Sequence, residues 1–390
     1  MGWFSKEENI EEENGNFSAS TAGEDQVQQL CFDLEQNYQH KVWFLGLENE
    51  IPKKFIELFD SSPTNQSVIN KTANMIAGEG LIEELNSDKF IDRIHLNMLM
   101  YYANPDQTMH SVLREAGQDA KQHGRYALEC RWNIAHDRIV EVRRIDVSGV
   151  CPSIEINENG KPKYYCYSDD WGDYNCKVKY YPRLDKNGKG NRQLLVVDFM
   201  RSGHKVFGLP DYYASIDWIE IEAGTGKSHK VSVRDGFSPK VAVIFPAKPE
   251  TTRIEDSIVK KMNTNYSGVF GRRIMGIFSP NKGLVPEIKP LDVKNLHDQY
   301  TTIDSQAERK ILTGHGVTTP LLFGVNPSNG FGSNAMEMSE GFNIYQNTSV
   351  GPYQDSFNES LAMIFRESSN TNRILIEPYS YESWTTVKKR

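Results

Sequence analysis

His315-Gly316-Val317-Thr318-Thr319-Pro320-Leu321-Leu322-Phe323-Gly324 is a tight apolar knot set between two helical stretches. Before it, residues 291–314 read as a helix closed by Gly314, a good residue for a helix end. After it comes a loop, residues 325–333, punctuated by Asn326-Pro327, Asn329-Gly330 and Gly332. Residues 334–366 then read as a long amphipathic helix. It kinks near Pro352, where no N–H continues the ladder. Met336, Met338, Phe342 and Tyr345 fall on or near one face, as packing against the preceding helix requires. Nothing in the stretch resembles a catalytic constellation. A loop held between two rigid helices points to a mechanical or binding role.

The surrounding chain is long enough, at 390 residues, for two or three domains with sizeable cores. Hydrophobic content of 38% and charged content of 25% are ordinary, while the mean hydropathy of -0.57 is on the polar side. No run of eighteen apolar residues marks a membrane span. Residues 1–6 lead into an acidic stretch rather than an apolar one, so no signal peptide is expected, and Lys6 replaces the Ser or Thr of a myristoylation signal. Five cysteines, none in a CxxC pair, favour neither a disulfide framework nor a zinc site; a reducing cytoplasm is the expected place of synthesis.

The net charge of -8 is unevenly placed. Residues 1–50 carry -9, and residues 233–291 carry +5. A globally acidic chain is poorly suited to tight nonspecific DNA binding, whereas a local basic segment suits an acidic partner or a solvated surface.

Residues 1–25 read as an acidic flexible arm, and 26–60 as helical pieces rich in aromatic residues. Ser62-Pro63 opens a helix that Gly78-Glu79-Gly80 ends. Residues 88–103 and 107–123 give two more, the second capped by Thr108. From Gly124 the pattern turns to strands: 125–132, 139–146, 150–156, 164–167, 177–181 and 194–200. Helix returns at Pro210 and runs to about Asp235, weakened by Gly224 and Gly226. A strand at 241–245, a helix at 253–262 and strands at 274–279 and 285–288 follow, with one more strand candidate at 373–376.

Several motifs invite chemistry. Gly226-Lys227-Ser228 suggests a phosphate loop, but Ile221 stands where the first glycine belongs, and the context is helical. The nine histidines lack metal-ligand or triad spacing. Asp169-Asp170-Trp171-Gly172-Asp173 lacks the spacing of a calcium loop and reads as a hairpin tip. Six tyrosines between Tyr164 and Tyr181, with Lys177 and Lys179, fit either a nucleic-acid platform or ordinary strands. No cofactor or metal is expected, and no enzyme activity.

The order of these pieces resembles a tailed-phage portal protein, the ring at one capsid vertex through which DNA passes. Ser62–Leu81 resembles the family's early wing helix. Asp119–Glu129 followed by Arg138–Asp146 resembles its helix, glycine and β-hairpin. Arg201-Ser202-Gly203-His204 and Phe207-Gly208-Leu209-Pro210 resemble the approach to its first stem helix. Gly316–Gly324 resembles its Gly-Val-Pro-Pro-Leu-Leu-Gly knot, with Thr319-Pro320 here in place of two prolines. The resemblance covers roughly residues 60–365.

It implies an α+β subunit: wing 26–208, first stem helix 209–235, α/β clip 236–290, second stem helix 291–314, and a return into the wing, 315–366. Residues 367–390 would form a short crown or tail. The return carries the tunnel loop and the long C-terminal helix. Asn326, Ser328, Asn329 and Phe331 would line the channel. Lys248, Arg253, Lys260, Lys261, Arg272 and Arg273 would form the basic surface of the clip. The resemblance further implies a virion protein made in the host cytoplasm, closing head-to-tail into a ring of about twelve copies. Its partners would be the major capsid protein, the terminase large subunit, a head-tail adaptor and double-stranded DNA, with no membrane. The alternatives are another virion structural protein, such as a head-tail adaptor, and a nucleotide-dependent enzyme built on Gly226-Lys227-Ser228.

Overall fold

Ser62 both ends one helix and starts the next. Its backbone is extended, its Oγ accepts from the Asn65 N–H at 3.1 Å, and Pro63 takes the first helical position, where a missing N–H costs nothing. This junction separates α1 (Glu50–Ser61) from α2 (Pro63–Ala77). In the computed structural model the described residues are 33–84, 97–173, 175–185, 190–235, 241–245, 252–266, 274–278, 287–290, 296–324, 335–365 and 373–385.

Ahead of α1 lies a hairpin, β1 (Leu34–Asn37) and β2 (Val42–Leu45), where the sequence had promised helix. Lys41 turns it at φ 54°, and Val42 and Phe44 are buried against Cys151, Cys166 and Trp171, so tertiary packing overrides helix propensity here. α2 runs to Gly78 and is followed by β3 (Gly80–Glu84). Next comes α3 (Met109–His123), capped by Thr108, whose Oγ1 accepts from the Ser111 N–H at 3.2 Å. Gly124 closes α3 at φ +67°, its N–H reaching the Ala120 carbonyl. A Cβ there would lie 2.1 Å from the Leu209 carbonyl carbon, so close backbone approach as well as conformation requires glycine.

β4 (Arg125–Trp132) is the centre of an antiparallel sheet between β5 (Ile139–Ile145) and β9 (Arg192–Asp198). A second three-stranded sheet is β6 (Val150–Pro152), β7 (Tyr164–Tyr167) and β8 (Lys179–Pro182). Alternation along β4 divides its side chains between two cores. Tyr126, Leu128, Cys130 and Trp132 join the main core with α2 and α3, while Ala127 meets Leu194, Val196, Tyr165 and Tyr181 between the sheets. Tyr165 and Tyr181 are thus buried, and Lys179 lies 5.7 Å above the Tyr167 ring. This is strand packing rather than an open stacking platform.

The chain then continues into α4 (Ile216–Asp235). Gly224 and Gly226 lie inside that helix, so the Gly-Lys-Ser run forms no phosphate-cradling turn. A β-α-β unit follows: β10 (Val241–Phe245), α5 (Thr252–Tyr266) and β11 (Ile274–Phe278), with β10 and β11 parallel. β12 (Glu287–Pro290) adds antiparallel to β10. α6 (Leu296–Gly314) returns beside α4. At its foot a Cβ on Gly314 would lie 2.0 Å from Ser215 Oγ, so this glycine is needed for close helix approach. The left-handed cap falls instead at Gly316, φ +69°.

α7 (Ala335–Tyr345), a π-turn (Gln346–Val350) and α8 (Gly351–Phe365) form the long helix. The ladder loosens just ahead of Pro352, with the Gly351 N–H reaching back five residues to the Gln346 carbonyl. Met336 is exposed and Met338 half-buried, so of the four expected core residues only Phe342 and Tyr345 are fully buried. β13 (Arg373–Glu377) does not leave the body as a tail: it pairs antiparallel with β3 and buries Ile374 and Ile376, and α9 (Tyr381–Thr385) follows. The architecture is mixed helix and strand throughout.

Candidate functional site

The knot is held from three sides. The Thr318 hydroxyl donates to the Gly341 carbonyl of α7 at 2.7 Å. Ser67 of α2 donates to the Phe323 carbonyl at 2.8 Å. Val317 N–H closes onto Leu312 O at the end of α6. Thr319 is extended, Pro320 begins a short 3-10 turn through Phe323, and Gly324 ends it at φ +82°. Leu322 and Phe323 are buried, and the Phe323 ring meets the Tyr345 ring edge-on at 5.2 Å. Gly341 has no room for a side chain, since its Cβ would lie 2.8 Å from Thr319 Cγ2. Residues 325–334 are therefore flanked at both ends by fixed backbone.

The expected channel-lining residues Asn326, Ser328, Asn329 and Phe331 lie outside the described residues, as do Lys248, Arg272 and Arg273. Of the basic set, Arg253, Lys260 and Lys261 are placed on α5, and all three are exposed. Arg253 and Lys260 are seven residues apart and so share one face of that helix.

Directly beneath the knot lies a charged cluster that no motif announced. Lys121, near the end of α3, has no exposed side-chain surface and pairs with Asp211, which opens the short turn ahead of α4. Its ammonium also sits 5.8 Å from the centre of the Tyr353 ring. Burial works against the ammonium, but the Asp211 carboxylate and then Tyr345 outweigh it and raise its pKa. His315, the first residue of the knot, is fully buried; its Nε2 is 2.9 Å from Asn65 Oδ1, and its Nδ1 lies 3.9 Å from Asp211. Burial first, and the Lys121 charge second, hold this imidazole well below the usual histidine range. With Nε2 donating to Asn65, the neutral ring satisfies one of its two nitrogens. Tyr345 completes the link by sharing a hydrogen bond with Thr72 of α2 at 2.8 Å.

The cluster joins α3, the turn ahead of α4, the knot and α7. It contains no nucleophile paired with a base aimed at a cavity. In the fold the last turn of α3, Ala120-Lys121-Gln122-His123, is buried on every side, which is unusual for a helix end carrying these residues. The local pattern gave no hint that Asp211 and His315 would meet it.

Other candidates dissolve into structure. Asp169 accepts from the Tyr167 hydroxyl, and Asp170 holds Lys53 at 2.5 Å. Among the described residues no group of His, Cys, Asp and Glu is placed to hold a metal, and no helix is long and apolar enough to cross a membrane. Cys130, Cys151, Cys166 and Cys176 are free thiols.

No protein-family model and no curated protein matches this sequence. Solved structures do match. A chain in the neck of an empty gene transfer agent particle, computed with C6 symmetry, superposes with a TM-score of 0.59 at 14% identity, covering 84% of this chain and 84% of that one. A chain in the native gene transfer agent virion gives 0.56 at 14%, covering 84% and 83%. An HK97-family phage portal protein from Corynebacterium diphtheriae gives 0.52 at 10%, covering 83% of this chain and 95% of that one. The fold of this chain is that of a phage portal protein.

Proposed function

We propose that this chain is a portal subunit. Identical copies close into a ring at one vertex of a virion, and DNA moves through the central channel during packaging and ejection. The observation that carries this reading is the end-to-end likeness: most of this chain aligns with nearly the whole of an HK97-family portal chain. The stem supports it. Residues 301–306 of α6 are all exposed, Ile303 among them, and Ile221 of α4 is exposed as well. A helix pair uncovered on several faces fits a neighbour on each side, as head-to-tail closure supplies.

In this reading residues 325–333 project into the channel from the fixed knot, and Asn326, Ser328, Asn329 and Phe331 contact DNA. The basic face of α5, with Lys248, Arg272 and Arg273, forms the clip surface that meets the terminase large subunit and the adaptor. Repetition around a ring multiplies a modest local charge into a strong field. The subunit has no catalytic role; hydrolysis of nucleotide belongs to the motor. The likeness extends to particle necks computed with C12 and C6 symmetry, which fits a ring of about twelve copies.

Electron microscopy of the purified protein, with mass by light scattering on the same sample, tests the reading. A ring with a central channel is expected. A monodisperse monomer or dimer across several salt concentrations would overturn it.

A further inference from the structure

A cavity of about 390 Å³ opens between the two wing sheets and α8. Its wall carries Trp43 of β2 together with Ile156, Met200 and Met363. Ile156 is 60% exposed, Met200 48% and Met363 50%. Three large apolar side chains from distant segments thus converge on one opening and stay wet. An apolar patch rimmed by polar groups marks an interaction site. Lys161, Arg183 and Lys205 stand on the same wall. Lys161 and Lys205 are exposed and make no ion pair among the described residues, while the Arg183 guanidinium donates to the Tyr165 hydroxyl at 3.3 Å and pairs with no carboxylate among them. Of the carboxylates there, Asp198 is held by Arg125 at 2.9 Å, which leaves Glu359 against three cations.

The first residues of the chain have the complementary composition. Trp3-Phe4 is an apolar pair, followed by Glu7, Glu8, Glu11, Glu12 and Glu13 against a single lysine, Lys6. The arm also joins the body close to the cavity. Asp33 O accepts from the Gly46 N–H at 2.9 Å, and three residues later Gln36 lies opposite Trp43 in the hairpin. The residues between Glu13 and Asp33 span about 65 Å when extended, ample to bring the arm back to this wall.

We propose that the wing cavity is the docking site of the acidic N-terminal arm, with Trp3-Phe4 on the apolar floor and the glutamates on Lys161, Arg183 and Lys205. The arm is then a clamp on the wing, supplied by its own subunit or by a neighbouring copy. The site does not depend on ring closure.

The test uses the full-length protein with a benzophenone amino acid in place of Trp3. Irradiation should give cross-links to 156–162, 195–206 or 359–363, read by mass spectrometry. Cross-links confined to another surface, or scattered over the protein, overturn the proposal. Lys161→Glu with Lys205→Glu should cut the yield at least ten-fold, with circular dichroism unchanged, and Glu11→Lys with Glu12→Lys should restore it. A yield indifferent to both reversals also overturns it. Mixing isotopically heavy and light subunits before assembly shows which copy supplies the arm, and either source upholds the site.

Discussion

Lys121 and Asp211, ninety residues apart, form an ion pair in which the ammonium is wholly shut off from solvent. Removing one member of such a pair leaves an uncompensated charge. Lys121→Met should cost about 3–5 kcal/mol. Lys121→Met with Asp211→Asn should recover part of that loss, because the stranded carboxylate is gone. Denaturant unfolding of wild type and both variants measures it. Equal losses in the single and double variants would mean that packing of the lysine stem, not charge, dominates.

His123, in the same last turn of α3, sets a pH dependence. Burial, reinforced by Arg125 and Arg144 and opposed in part by Asp146, takes its pKa to about 4. The unfolded value is near 6.5, so the folded state binds the proton less well than the unfolded one. The resulting stability is fully present above about pH 6.5 and is lost as pH falls towards 4, by about 3 kcal/mol. His315 acts with the same sign. His123→Gln should flatten this slope in thermal unfolding measured from pH 7 to pH 4. An unchanged slope would remove His123 from the account.

Two glycines with nearly the same φ separate backbone strain from crowding. Gly124 at +67° faces the Leu209–Pro210 peptide, while Gly160 at +69° faces open space. Gly160→Ala should cost about 1–2 kcal/mol, the strain alone. Gly124→Ala adds a backbone clash and should cost about 3–5 kcal/mol. Soluble yield and melting temperature report both. Comparable losses would show that the α3 junction yields more readily than its contacts imply.

Because both flanks of the loop are fixed independently, deleting residues 326–332 should leave subunit folding and ring assembly intact. The expected loss is in DNA packaged or retained per particle. Loss of the ring itself would show that the loop belongs to the subunit interface.

Much of the fold between Ser62 and Ile145 was legible because its signals are local. Ser62-Pro63, Thr108 and Gly124 each act within one helical turn, and the structure uses all three at the expected ends. The β4–β5 hairpin follows from alternation within a short span. What escaped was set by distance. β3 and β13 meet only after almost three hundred residues of intervening chain, and neither segment encodes its partner. The β1–β2 hairpin depends on cover from Cys151, Cys166 and Trp171. Of the candidate site, the knot was legible from its glycines and Pro320. The Lys121–Asp211–His315 cluster was not, since three unremarkable residues become a cluster only through folding.

The π-turn has a consequence for counting along the long helix. Each α-helical residue advances the face by about 100°. Counted straight through, Phe342, Tyr345, Tyr353, Phe357, Leu361 and Ile364 spread over about 160° of the helix, yet all six are buried. Omitting one residue within Gln346–Val350 aligns them. The turn is a leap day in the helical calendar. Excising one residue of this turn, such as the exposed Thr348, should therefore keep both halves facing the core. A deletion at any position in α7 or α8 throws one half out of season.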